Sequence, residues 1–219
     1  MNAAANIPEN ALPWILWGRA ITPTPSNTAT PAADMTASQS YTPGDIEREL
    51  ETHYARVYRF VAGMTWGSGL DAEDLTQDVF LKAYRNASGF QRDSALSTWL
   101  YRIARNTVTD ALRKRTVRRA FSAFWPMDQD QQQVDMPHPD SEDADMDARE
   151  MQTMVREAIA ALPEPYRSIV LWREIEELPY REISEITGES EGTLKSRLFY
   201  AKKKLRDALI AKGIDYETQ

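Results

Sequence analysis

The chain has 219 residues, enough for one large or two small domains. Hydrophobic residues make up 42% and charged residues 27%, as in a soluble globular protein, and the absence of cysteine excludes disulfides and thiolate metal sites. No stretch reaches the roughly 18 apolar residues that a bilayer crossing needs. The apolar run over residues 11–18 is broken by Pro13 and preceded by no basic residue, so it makes a poor signal peptide. A reducing cytoplasm is the expected setting.

The net charge of −7 conceals a partition. Residues 99–119 carry seven Lys/Arg against Asp110 alone, and residues 191–212 carry seven more against Glu191 and Asp207. Between them, residues 127–150 carry nine acids against Arg149. Two basic stretches around an acidic one point to two polyanion-contacting surfaces rather than to a uniformly acidic enzyme.

Residues 1–42, rich in Ala, Thr, Pro and Ser, read as a disordered extension, with docking of Trp14, Ile15, Leu16 and Trp17 on a partner or on the body as the alternative. A first helix begins near Asp45. Ile46, Leu50, Tyr54, Val57, Tyr58 and Val61 give it one apolar face, and Gly63, Gly67 and Gly69 are expected to end it. Asp71 is an N-cap candidate for a second helix, with Glu73 and Asp74 in its first turn and Ala72, Leu75, Val79, Phe80 and Ala83 as its buried stripe. After a polar loop over 86–98, a third helix is expected over 98–115, burying Leu100, Ile103, Ala104, Val108, Ala111 and Leu112. Residues 126–148, with their prolines, glutamines and acids, read as a linker. The remainder reads as four helices broken at Pro163, at Leu178 and Pro179, and at Gly188. No strand-like alternation and no internal repeat is present. The expected fold is all-α: two small helical domains joined by a flexible acidic linker.

The last two helices have the chemistry of a helix-turn-helix. Pro179 suits the first position of the shorter one, Gly188 can take the left-handed conformation past its end, and Ser190 can cap the next. Leu194, Leu198, Ala201 and Leu205 face inward. Thr193, Lys195, Ser196, Arg197, Phe199, Tyr200, Lys202 and Lys203 are left pointing out. Such a face can offer side chains to base edges and cations to phosphates, and Phe199 can lie on thymine methyl groups. A Lys-rich solvated hairpin would share the charges, but the caps, turn chemistry and charge partition together favour DNA.

The residues Leu162, Pro163, Tyr166 and Arg167, with LPYREIS over 178–184 and GTLKSRL over 192–198, resemble region 4 of the extracytoplasmic-function (ECF) sigma factors of the sigma-70 superfamily. DAEDLTQDVFLKAY over 71–84 is similar to region 2.2 of that family, and FQRDSALSTWLYRIARNT over 90–107 to regions 2.3 and 2.4. The resemblance implies region 2 over 43–122, an acidic linker over 123–148 lying in the channel later used by template and RNA, region 4 over 149–213, and a tail over 214–219. It implies −35 DNA contacts from Arg167, Thr193, Lys195, Ser196, Arg197, Phe199, Tyr200 and Lys203, with Arg167 and Arg197 at phosphates. Many family members carry Arg where Tyr200 stands; a phenol makes no bidentate guanine contact, so the family's base preference does not carry over there.

The resemblance further implies that a loop of Arg92, Asp93, Ser94, Ala95, Leu96 and Ser97 captures a flipped −10 base, while Arg102, Arg105, Asn106 and Arg113 follow the strand. Trp99 reads as core in preference to a stacking platform. Asp74, Gln77, Asp78 and Lys82 would face core RNA polymerase. The implied partners are core polymerase through its β′ clamp and β flap, promoter DNA and an anti-sigma factor, with no small-molecule substrate, cofactor or catalysis. The residues alone leave a second reading open, a free-standing helix-turn-helix regulator with a sensing or dimerising N-terminal domain. A metal-dependent nucleic-acid enzyme would need more than Glu73, Asp74 and Asp78, which have no histidine nearby.

Overall fold

The computed structural model describes residues 6–8, 49–87, 90, 95–124, 146–213 and 215–217. Arg92, Asp93, Ser94, most of the N-terminal extension and most of the acidic linker lie outside these. A helical turn over 49–52 leads into α1 (Tyr54–Thr65), followed by α2 (Ala72–Asn86) and the long α3 (Leu96–Phe124). Then come α4 (Met146–Ala160), α5 (Glu164–Val170) with its π-helical continuation Leu171–Ile175, α6 (Tyr180–Thr187) and α7 (Glu191–Ala211). The helical reading stands, with one addition. Asn6–Pro8 (β1) pairs in parallel with Asp215–Glu217 (β2), Ile7 opposite Tyr216. Three residues are too few for a period of two to register in the sequence.

Local chemistry sets the helix ends. The Asp71 carboxylate accepts from the backbone N–H groups of Glu73 (2.7 Å) and Asp74 (3.1 Å), satisfying two of the donors that a helix start leaves orphaned. Ser190 caps α7 by accepting from the Thr193 N–H at 3.2 Å. Gly188 closes α6 with φ +75°, a conformation that costs glycine nothing. Pro179 stands one position earlier than expected, as the N-cap of α6.

Two expectations are corrected. Gly63 does not end α1, which runs on to Thr65; a Cβ there would lie 2.7 Å from Leu171 Cδ2, so glycine allows close approach of another helix. Tyr54, assigned to the apolar face, is instead exposed beside Tyr58 and Phe80, while Phe60 and Met64 fill the core.

The N-terminal and C-terminal helical units share one core. Phe60 of α1 stacks on Trp172 with ring centroids 5.0 Å apart and planes 7° from parallel, and Tyr101 of α3 meets Phe60 edge-on at 5.7 Å. Beside this stack, Glu176 at the end of the π turn is buried, its side chain 1% exposed. It accepts from Arg59 Nε (2.8 Å) and Nη2 (2.9 Å), Arg56 Nε (3.1 Å) and the Tyr101 hydroxyl (3.1 Å). Burial, and next the Glu176 carboxylate, push the Tyr101 phenol well above its ordinary pKa, so it remains a donor at physiological pH.

Candidate nucleic-acid interface

On α7, the buried stripe Leu194, Leu198, Ala201, Leu205 and Leu209 turns the opposite face outward. Phe199 is 67% exposed and Tyr200 55%, their rings meeting edge-on at 5.5 Å, with Thr193, Lys195, Ser196 and Lys203 also exposed. Large exposed aromatics beside cations are a composition found at binding surfaces. Lys195 Nζ lies 5.5 Å from the Tyr180 ring centroid and 3.7 Å from Glu191, which orients it along the helix start.

The two arginines expected at phosphates are engaged elsewhere. Arg197 is half-buried and its Nη1 donates to Glu189 Oε1 at 2.9 Å, bracing the turn between α6 and α7. Arg167 corrects the expectation more strongly. Its guanidinium donates to the carbonyls of Ala160, Leu162 (3.1 Å) and, across the units, Met64 (2.6 Å), and burial lowers its pKa. It holds backbone together and does not belong to the outward face of α7.

In the N-terminal unit, Asp74, Gln77, Asp78 and Lys82 are all exposed on α2, opposite the buried Val79 and half-buried Leu75. Lys82 Nζ also donates to Thr107 Oγ1 at 2.9 Å, tying α2 to α3. Leu81 and Tyr84 are exposed on the same helix, which gives this surface apolar content that a count of charges misses.

Of the expected loop pocket, Ala95 is exposed and Ser97 half-buried, whereas Leu96 is buried as the first residue of α3 and belongs to the core. Trp99 is half-buried against Phe90, centroids 5.2 Å apart, which agrees with a packing role. Asn106 and Arg113 are exposed, Arg113 pairing with Asp110 one turn back. Arg102 and Arg105 contact the other unit: Arg102 Nη2 donates to the Glu185 carbonyl at 2.6 Å and Arg105 Nε to Glu164 at 3.1 Å.

The profile of sigma-70 region 2 matches residues 50–118, and that of sigma-70 region 4 matches residues 152–205. The ECF RNA polymerase sigma factor SigE of Mycolicibacterium smegmatis is 32% identical over 189 residues, 86% of this chain and 70% of its own. The chain belongs to the ECF sigma factors. It is thus an alternative sigma factor that directs promoter-specific transcription. The RNA polymerase sigma-H factor of Pseudomonas aeruginosa is also similar, 36% identical over 141 residues, 64% of this sigma factor and 73% of the relative.

Among solved structures, the fold is shared with the sigma factor RpoE of Bartonella quintana in complex with the anti-sigma factor NepR. The TM-score is 0.61 at 24% identity, covering 76% of this chain and 97% of that one. CnrH in complex with the cytosolic domain of CnrY shares it as well, with a TM-score of 0.54 at 18% identity over 78% and 92% of the two chains.

Sequence reasoning missed the cluster around Glu176. A signal was present: Arg59 lies between Tyr58 and Phe60 in an apolar stretch, and its helical neighbours at three and four residues (Ala55, Arg56, Ala62, Gly63) include no acid. A buried arginine with no local carboxylate needs a distant one.

Proposed function

We propose that this sigma factor reads promoters through two separate surfaces while a third face holds core RNA polymerase. The outward face of α7, with Thr193, Lys195, Ser196, Phe199, Tyr200 and Lys203, reads the −35 element as duplex. The segment entering α3, with Arg92, Asp93, Ser94, Ala95 and Ser97, captures a −10 base, and Arg102, Arg105, Asn106 and Arg113 follow the strand. The exposed face of α2, with Asp74, Gln77, Asp78 and Lys82, docks on the polymerase clamp. The acidic linker over 123–148 occupies the nucleic-acid channel by imitating its charge.

The observation that carries this reading is the solvent-facing Phe199 and Tyr200 pair beside Lys195 on a capped helix, an arrangement suited to major-groove readout. The protein performs no catalysis of its own on this reading. An anti-sigma factor is a further partner, by analogy with the Bartonella quintana complex. No helix among the described residues is long and apolar enough to cross a membrane, and action on core polymerase assigns the protein to the cytoplasm.

Run-off transcription from a promoter library with purified core polymerase, with and without the protein, tests the reading. It predicts promoter-specific transcripts only when the protein is present; no active promoter together with no binding to core would overturn it. A free-standing regulator would instead bind specific duplex without core.

A further inference from the structure

Two acid–base pairs stand at the start of α7, and they differ in strength. Lys195 and Glu191 lie 3.7 Å apart with side chains 60% and 50% exposed, so water and salt screen the pair and it contributes little. Arg197 and Glu189 are only 21% and 29% exposed and share two contacts, Nη1 to Oε1 at 2.9 Å and Nη2 to Oε2. A two-point arginine–carboxylate pair in that shelter is the stronger one, by geometry and by dielectric.

Arg197 stands between the exposed Ser196 and the buried Leu198, at the edge of the outward face of α7. A guanidinium released there can turn toward a phosphate at the wall of a groove, and the Glu189 carboxylate is what holds it back. The pair braces a turn that other bonds already hold. The Glu189 N–H donates to Thr187 Oγ1 at 3.2 Å, and its carbonyl accepts from Ser184 Oγ at 2.6 Å. Gly188 and the Ser190 cap complete the turn without any side-chain charge. What the carboxylate adds is the occupation of Arg197.

We propose that Glu189 is an affinity-setting residue of the −35 contact. By keeping Arg197 off the DNA backbone it makes region 4 grip every duplex less tightly, and leaves binding to rest on the base-facing side chains. This rests on the promoter reading above and deepens it. A phosphate contact strengthens binding to all sequences alike, and each phosphate neutralised steepens the fall of log K with log salt by about 0.9. The withheld arginine therefore has a signature that a packing role lacks.

Holoenzyme assembled from core polymerase and the full chain should be titrated against an active promoter duplex and against the same duplex with its −35 element scrambled. The salt range of about 50–200 mM potassium chloride spans the regime where counterion release is read. Glu189→Ala should steepen the salt slope by about 0.9 and tighten binding to both duplexes several-fold, by the same factor, at the low-salt end. Arg197→Ala should keep the slope of the unmodified chain, and Glu189→Ala combined with Arg197→Ala should return to it. An unchanged slope in Glu189→Ala overturns the proposal whatever the affinity. So does a steeper slope that persists once Arg197 is also removed, because the carboxylate's own repulsion of DNA would then explain it. A gain confined to the intact −35 element would mean a base contact, and defeats the proposal as well. If Glu189→Ala fails to fold or to bind core, Arg197→Lys decides. A lysine does not engage both carboxylate oxygens, so its ammonium should be released and the slope should steepen; an unchanged slope disproves the proposal. Inactivity of the unmodified chain with core would instead defeat the promoter reading itself, which separates the two failures.

Discussion

Glu176 illustrates how one buried carboxylate can hold several donors in place. Two arginines and a phenol converge on its oxygens, so removing it leaves Arg59, whose side chain is 8% exposed, with an uncompensated charge in the core. Breaking a buried pair from one side typically costs about 3–5 kcal/mol, far more than the intact pair contributes. Glu176→Ala should therefore lower the free energy of unfolding by about that amount in urea titration. A loss below about 1 kcal/mol would mean that water reaches the cluster. Phe199 makes the opposite case. Its ring is exposed, so Phe199→Ala should change stability by less than about 0.5 kcal/mol. The same change, like Lys195→Ala, should weaken dependence on the −35 element in transcription assays while core binding persists. Loss of core binding in either variant would show that this face does something else.

At the scale of elements, the turn between α6 and α7 sets where the recognition face points. Gly188 takes φ +75° with nothing within 4 Å of a built Cβ, so alanine there meets only backbone strain, about 1–2 kcal/mol. Ser190→Ala removes the cap on the Thr193 N–H and should cost about 1 kcal/mol. Circular dichroism melts of the two variants should show both losses, and an unchanged melting temperature in Gly188→Ala would mean that the turn rearranges freely. These devices were legible in the sequence because they are local: Asp71, Gly188 and Ser190 act on groups within a few residues. The buried stripe of α7 was legible for the same reason, since Leu194, Leu198, Ala201 and Leu205 follow the helical period. Gly63, Arg167 and Glu176 were misread or missed because their partners Leu171, Met64 and Arg59 lie about a hundred residues away, and no periodicity encodes such a pairing. The family resemblance puts Arg167 at a phosphate, whereas burial and three backbone carbonyls decide its role. The length of α3 was also underestimated: the charge-rich residues after Arg115 interrupt the apolar period without interrupting the helix.

At the scale of the molecule, two family regions with separate tasks share one hydrophobic core. Phe60 and Tyr101 from one side and Leu171 and Trp172 from the other are almost wholly buried, so neither unit keeps its apolar surface from water without its neighbour. Each unit alone is small, and small domains bury too little surface to be very stable. Cooperative unfolding should follow, because loss of one unit exposes the Phe60 and Trp172 faces of both. Far-ultraviolet circular dichroism follows the helices of both units, and near-ultraviolet circular dichroism follows the packed aromatics at their junction. In the free chain the two thermal transitions should coincide. In Glu176→Ala they should separate, the aromatic signal being lost first, because the units then part before either unfolds. Two transitions in the unmodified chain would contradict the shared core. A single unchanged transition in Glu176→Ala would show that the Phe60–Trp172 stack and the Gly63–Leu171 contact suffice to couple the units without the ion cluster.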